Sequence, residues 1–135
     1  YLKLSQAVQR QIPVSLRIHI LPEQFQLGLE LIDLTRILGI LLDNAIEEAA
    51  KVPGGAVDVQ IAGNGTVCFY NIKNSITEQT KHSGVHPGRS TKGPDHGHGL
   101  LIVRQILEQY DHAVLNSCIK QNQYIQSLNI HLGHD

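Results

Sequence analysis

The spacing of apolar residues changes repeatedly along the chain, and each change predicts an element. Over residues 33–51, Leu34, Ile37, Leu38, Leu41, Leu42, Ala45 and Ala49 recur at helical spacing. At 100° per residue they form one broad stripe, so this stretch reads as an amphipathic helix, with Asp33 as its N-cap. Asp43 falls opposite the stripe's centre and is expected in solvent. Asn44 lies about 100° from that centre by the same wheel, at the edge of the buried face. An amide there can be half buried and still aim at a cavity; the blander reading is an Asn satisfied by nearby backbone. A second helical stripe runs over residues 100–110. Residues 1–11, with Leu2, Leu4, Ala7 and Val8, read as a short amphipathic helix ended by Pro13.

Alternation marks the strands. Val14, Leu16, Ile18 and Ile20 alternate with Ser15, Arg17 and His19, predicting a half-buried strand over 14–21. Residues 22–30 read as a linker. The long helix stops near Pro53-Gly54-Gly55, a strong breaker. Val57, Val59 and Ile61 alternate with Asp58 and Gln60; Gly63-Asn64-Gly65 turns the chain, and 66–72 returns as the second arm of a hairpin. A closing hairpin is expected from 113–118 and 124–132 around Gln121-Asn122. Between them, residues 77–98 lose all periodicity and hold Gly84, Gly88, Gly93, Gly97, Pro87 and Pro94. A loop of that length in a compact domain is usually functional or disordered, and residues 77–95 are expected to be mobile without a ligand. The order helix, strand, helix, hairpin, loop, helix, hairpin predicts an α/β fold: a two-layer sandwich of one mixed sheet with its helices side by side on one face.

Bulk properties narrow the function. The 135 residues suit a single domain over 1–135, and 41% hydrophobic with 17% charged content fits a globular one. The net charge of −1 gives no basic footprint for nucleic acid. No apolar run reaches the length of a membrane span, and no signal peptide is evident. Cys68 and Cys118 read as small buried hydrophobes in a reducing compartment. With no Trp and 4% aromatic residues, the core is expected to be aliphatic.

Two stretches carry candidate chemistry. One is the Asn44 helix. The other is Ser90-Thr91-Lys92-Gly93-Pro94-Asp95-His96-Gly97-His98-Gly99-Leu100, which runs straight into the second helix. A Gly-x-Gly at a helix start lets backbone approach a ligand closely, and the free N–H groups of the first turn suit phosphate oxygens. An Asn-bearing helix followed some fifty residues later by Gly-x-Gly-Leu is similar to the N box and G2 box of the GHKL ATP-binding fold. The wording Leu-x-Arg-Ile-Leu-Gly-Ile-Leu-Leu-Asp-Asn-Ala-Ile-Glu-Glu-Ala, with Ser-Thr-Lys-Gly before the G2 box, resembles more closely the catalytic domain of peptide-pheromone, quorum-sensing sensor histidine kinases of the agr and com type. The likeness covers nearly the whole chain.

The resemblance implies a Bergerat-type sandwich that holds ATP and Mg2+ between helices and sheet. It implies Asn44 as a magnesium ligand through the nucleotide, and backbone wrapping of the phosphates by Gly97, His98, Gly99 and Leu100. Lys92, and less so Arg89, would neutralise phosphate charge. The family's adenine-binding Asp-x-Gly-x-Gly is absent; Asn74-Ser75-Ile76 stands in its place, with Asn74 as acceptor for the adenine amino group, Ile76 beside it, and Asn71 as a rival. Glu47 is a secondary candidate. The position four before Asn44, an acid or amide in many relatives, is Ile40, which removes a general base for water. The implied partners are a dimerisation domain carrying the phosphoacceptor His, absent from this fragment, and a response regulator; the parent chain is expected to be membrane-anchored with this part cytoplasmic. A rival reading gives His82, His86, His96 and His98 to zinc, but their spacing is loose and no cysteine joins them.

Overall fold

The computed structural model describes residues 12–20, 28–83 and 98–132. The expected helix over 1–11, most of the 22–30 linker, and Arg89, Lys92, His86, His96 and Gly97 lie outside them. The elements, in order, are β1 (Val14–His19), α1 (Leu31–Ala49), β2 (Val57–Gly63), β3 (Val67–Ser75), α2 (Glu78–Ser83), α3 (His98–Leu107), β4 (Ala113–Lys120) and β5 (Gln123–His131). The strands form one sheet in the order β1-β2-β3-β5-β4. β1 pairs parallel with β2 and the other pairs are antiparallel, so the sheet is mixed.

One face of that sheet carries the core. On β3, Cys68, Tyr70, Ile72 and Asn74 are buried; on β5, Tyr124, Gln126, Leu128 and Ile130 are. Strand alternation puts each set on one side. Against it lie Leu34, Ile37, Leu41, Ala45 and Ala49 of α1 and Leu100, Val103 and Ile106 of α3. Full burial of each large aliphatic side chain contributes about 1.5–3 kcal/mol. Both helices therefore sit side by side on the same face, the expected two-layer arrangement.

Several details differ from the sequence expectation, each for a local reason. The long helix begins at Leu31, and Glu30, not Asp33, is its N-cap, without a side-chain cap bond. Asp33 sits in the first turn instead and accepts a 2.5 Å hydrogen bond from the Tyr110 hydroxyl. That hydroxyl also accepts from the Glu30 N–H, so Tyr110, three residues past α3, ties down the start of α1. Gly28 just before it has φ +73°, and a Cβ there would meet Ile130 Cγ2 at 2.4 Å. Asp43 is half buried and partnered rather than free in solvent. β1 is mostly exposed, with Leu16 at 49% and Ile18 at 57%. Its register, Leu16 opposite Val59 and Ile18 opposite Ile61, puts both on the helix side of an edge strand, to one side of β2 and β3 on which α1 packs. Cys68 is buried, but Cys118 is exposed on the outer edge of the sheet. The core is not wholly aliphatic, because Tyr70 and Tyr124 are each 2% exposed. The aperiodic stretch opens with a short helix, α2, where the Thr77 hydroxyl oxygen accepts the Thr80 N–H and supplies its cap.

Candidate functional site

The candidate residues that the structure describes collect at one end of the sandwich, and backbone connections bring them there. α1 ends at Ala49, and the chain turns through Gly55, whose Cβ position is blocked by the Ala49 carbonyl, to start β2 at Val57. Val57 pairs with Asn74 near the end of β3, and Asn74 pairs with Tyr124 near the start of β5. The last turns of α1, the end of β3 and the start of β5 therefore share one rim. α3 starts at the same rim, since Gly99 packs against α1.

Asn44 is half buried on the last turns of α1. Its Nδ2 is buried, with no hydrogen-bond partner among the described residues. A Cβ on Gly99 would lie 2.8 Å from Ile40 Cγ2, 3.9 Å from Asn44 Nδ2 and 4.0 Å from Asn44 Oδ1. The amide thus faces the first turn of α3, and only a glycine permits that approach. A buried donor left unmade costs about 1–3 kcal/mol, so the blander reading, an Asn satisfied by nearby backbone, does not describe the Nδ2 group. Ile40 fills the neighbouring wall with hydrocarbon. Glu47, one turn on, already has a partner.

Asn74 is 2% exposed. Its Nδ2 donates to the Ser75 carbonyl at 3.0 Å, its one side-chain hydrogen bond among the described residues, which leaves Oδ1 as an open acceptor. Asn71 lies three residues back, on the opposite face of the sheet, and its Oδ1 accepts from the Ser127 hydroxyl at 2.6 Å. Ile76 is buried just beyond the strand, where its N–H donates to the Asn122 carbonyl at 3.1 Å. Leu100 is buried in the first turn of α3. His98 begins α3, and Gly97 and Lys92 lie outside the described residues. The rim also holds residues that sequence reasoning missed. Gln126 is buried and its Nε2 donates to the Tyr124 hydroxyl at 3.3 Å. Lys81 of α2 donates to Asn122 Oδ1 at 3.2 Å. Both strand residues obey the alternation of β5, so nothing in the pattern separated buried polar side chains from exposed ones there.

Asn44 and Gly99 fall in the residues matched by a family model described as "GHKL domain", which spans 29–131. The chain belongs to the GHKL domain family. No curated protein matches it. Among solved structures, the nucleotide-free catalytic domain of histidine kinase ThkA has a TM-score of 0.69 at 20% identity, covering 96% of this chain and 85% of that one. The structure of ThkA in complex with the response regulator protein TrrA matches at TM-score 0.67 and 18% identity, covering 98% of this chain and 37% of that one. The Acinetobacter baumannii histidine kinase AdeS matches at 0.62 and 14%, covering 98% and 62% respectively. At such identities the likeness is one of fold: this GHKL chain has the mixed-sheet sandwich of histidine kinase catalytic domains. No helix among the described residues is long and apolar enough to cross a membrane.

Proposed function

We propose that the chain is the ATP-binding catalytic domain of a sensor histidine kinase of the peptide-pheromone type. It holds ATP so that the γ-phosphate meets a phosphoacceptor His on a separate dimerisation domain, from which the phosphoryl group passes to a response regulator. The observation that carries this reading is the pairing, on one rim, of a buried donor without a partner at Asn44 and an open acceptor at Asn74. The fold of ThkA, whose structure with TrrA is a kinase–regulator complex, supports it. So does the wording around Asn44.

Magnesium prefers hard oxygen ligands and needs few from the protein when phosphates supply the rest. Asn44 fits that need: Oδ1 offers the oxygen, while the unpartnered Nδ2 suits a phosphate oxygen. When bound, the ion neutralises charge that develops on the transferred group. The N–H groups of His98, Gly99 and Leu100 open α3 and face the phosphates, where the helix dipole favours negative charge. The motif gives Gly97 and Lys92, outside the described residues, the roles of phosphate wrapping and charge neutralisation. Asn74 Oδ1 accepts from the adenine amino group, and Ile76 offers the base an apolar neighbour. Ile40 cannot take a proton from water, so transfer to an external nucleophile is favoured over hydrolysis. The test supplies the chain with labelled ATP, magnesium and the matching dimerisation segment. An acid-labile, base-stable label on that segment's His is expected. Intact ATP binding with no transfer to any such segment would instead favour a non-transferring regulator of another GHKL branch.

A further inference from the structure

We infer that the base pocket is a purine site with only weak preference for a 6-amino over a 6-oxo group, set by the hinge between Asn74 and the Ser75 carbonyl. This rests on the reading above that the rim binds ATP. The Asn74 amide is pinned rather than free. The Ser75 carbonyl can only accept, so the atom facing it at 3.0 Å is Nδ2 and the opposite atom is Oδ1. Ser75 is itself fixed. Its N–H donates to the Ala56 carbonyl at 3.1 Å, and its hydroxyl oxygen accepts the Ala56 N–H at 3.1 Å. In this orientation the amide presents an acceptor, which matches the donor at position 6 of adenine.

A carboxylate at this place would offer acceptors only. A 6-oxo purine would then set oxygen against oxygen, with a buried negative charge between them. An amide has another option. Rotation by half a turn presents Nδ2 to the 6-oxo group and gives up the bond to Ser75, leaving Oδ1 against that carbonyl. The loss is one hydrogen bond plus an unfavourable contact between two uncharged acceptors, which is smaller than setting a buried carboxylate against the 6-oxo group. The expected preference for ATP over the 6-oxo analogue is therefore about tenfold, or 1.4 kcal/mol. The recognition is also uncharged, so it involves no titration at position 74.

Calorimetric titration of the whole chain with ATP and with ITP, both with magnesium, tests this. ITP differs from ATP at the 6-position without the 2-amino group of guanine. Wild type should bind ITP about tenfold more weakly than ATP. Asn74→Asp should widen the ratio to a hundredfold or more. Asn74→Ala should bind ATP more weakly and bring the two nucleotides within about threefold; it carries the test if a buried carboxylate prevents folding by circular dichroism. Wild-type discrimination beyond a hundredfold, or a ratio unmoved by both variants, overturns the inference while leaving the ATP site standing. A chain that binds neither nucleotide overturns the ATP site itself.

Discussion

Replacing Asn44 with Leu should stabilise the protein and destroy nucleotide binding, two effects of opposite sign from one buried group. The Nδ2 of Asn44 is buried without a hydrogen-bond partner. Removing an unmade donor of that kind returns about 1–3 kcal/mol. Leu has the same branched skeleton of side-chain heavy atoms, and the Ile40 methyl and Gly99 lie close by, so the new side chain finds apolar contact. Better helix propensity adds at most about 0.7 kcal/mol. Urea unfolding followed by circular dichroism reads the change, with an unaltered slope showing that the unfolded state is the same. At a nucleotide concentration of a thousand times Kd, wild type should gain about 4.1 kcal/mol from Mg·ATP and the variant nothing, so the order of stability reverses on adding nucleotide. A variant less stable than wild type without nucleotide would refute the reasoning, because it would mean that the amide is bonded in the native state and serves the fold. So would a variant that Mg·ATP still stabilises.

Gly99→Ala sets a Cβ 2.8 Å from Ile40 Cγ2, a branched methyl that cannot swing aside on a helix; unfolding should be easier by about 1–3 kcal/mol, ATP affinity should fall, and Ile40→Ala in the same chain should recover part of the stability. Alkaline pH should unfold the protein. Burial pushes the Tyr70 phenol well above its usual pKa of 10, aided by the neighbouring Cys68 thiol, and the bond to Asp33 raises Tyr110. Both are raised, so the folded state keeps protons that the unfolded chain loses; stability is full below about pH 10 and declines as pH climbs from there towards the folded values. Absorbance of tyrosinate, read beside circular dichroism, should show part of the phenol signal rising only with unfolding; complete titration in the folded state would contradict this.

The helices and hairpins were legible because each buries one face only. A stripe of Leu34, Ile37, Leu41, Ala45 and Ala49 has no other stable use, and the burial of all five follows from it. Periodicity failed where burial depends on what lies above a residue rather than on its own alternation. Leu16 and Ile18 alternate as a core strand does, but they occupy a sheet edge and stay exposed. Cys118 likewise sits on the opposite edge strand. α2, Glu78–Ser83, carries no apolar period at all, and its signal was the Thr77 cap three residues before Thr80. Asn44 and Gly99 could be singled out by their motifs, yet their contact could not, because it depends on the crossing of two helices some fifty residues apart. That Asn71 and Asn74 lie on opposite faces of the sheet needed only strand parity once the extent of β3 was known.

Position 40 links packing to the proposed chemistry. Ile40 stands one turn before Asn44, and its Cγ2 lies against Gly99. A carboxylate there would be a base for water, but it would also need solvent or a partner in a wall shared with the first turn of α3. The aliphatic side chain instead seals the wall and lowers the local dielectric, which strengthens any bond that the Asn44 amide makes to phosphate or metal. The same substitution that removes a route to hydrolysis therefore sharpens the grip on the nucleotide. Under the proposed function this is a coherent pairing. Phosphoryl transfer asks mainly for positioning and charge neutralisation, and a site that cannot activate water keeps the γ-phosphate intact until the phosphoacceptor His arrives.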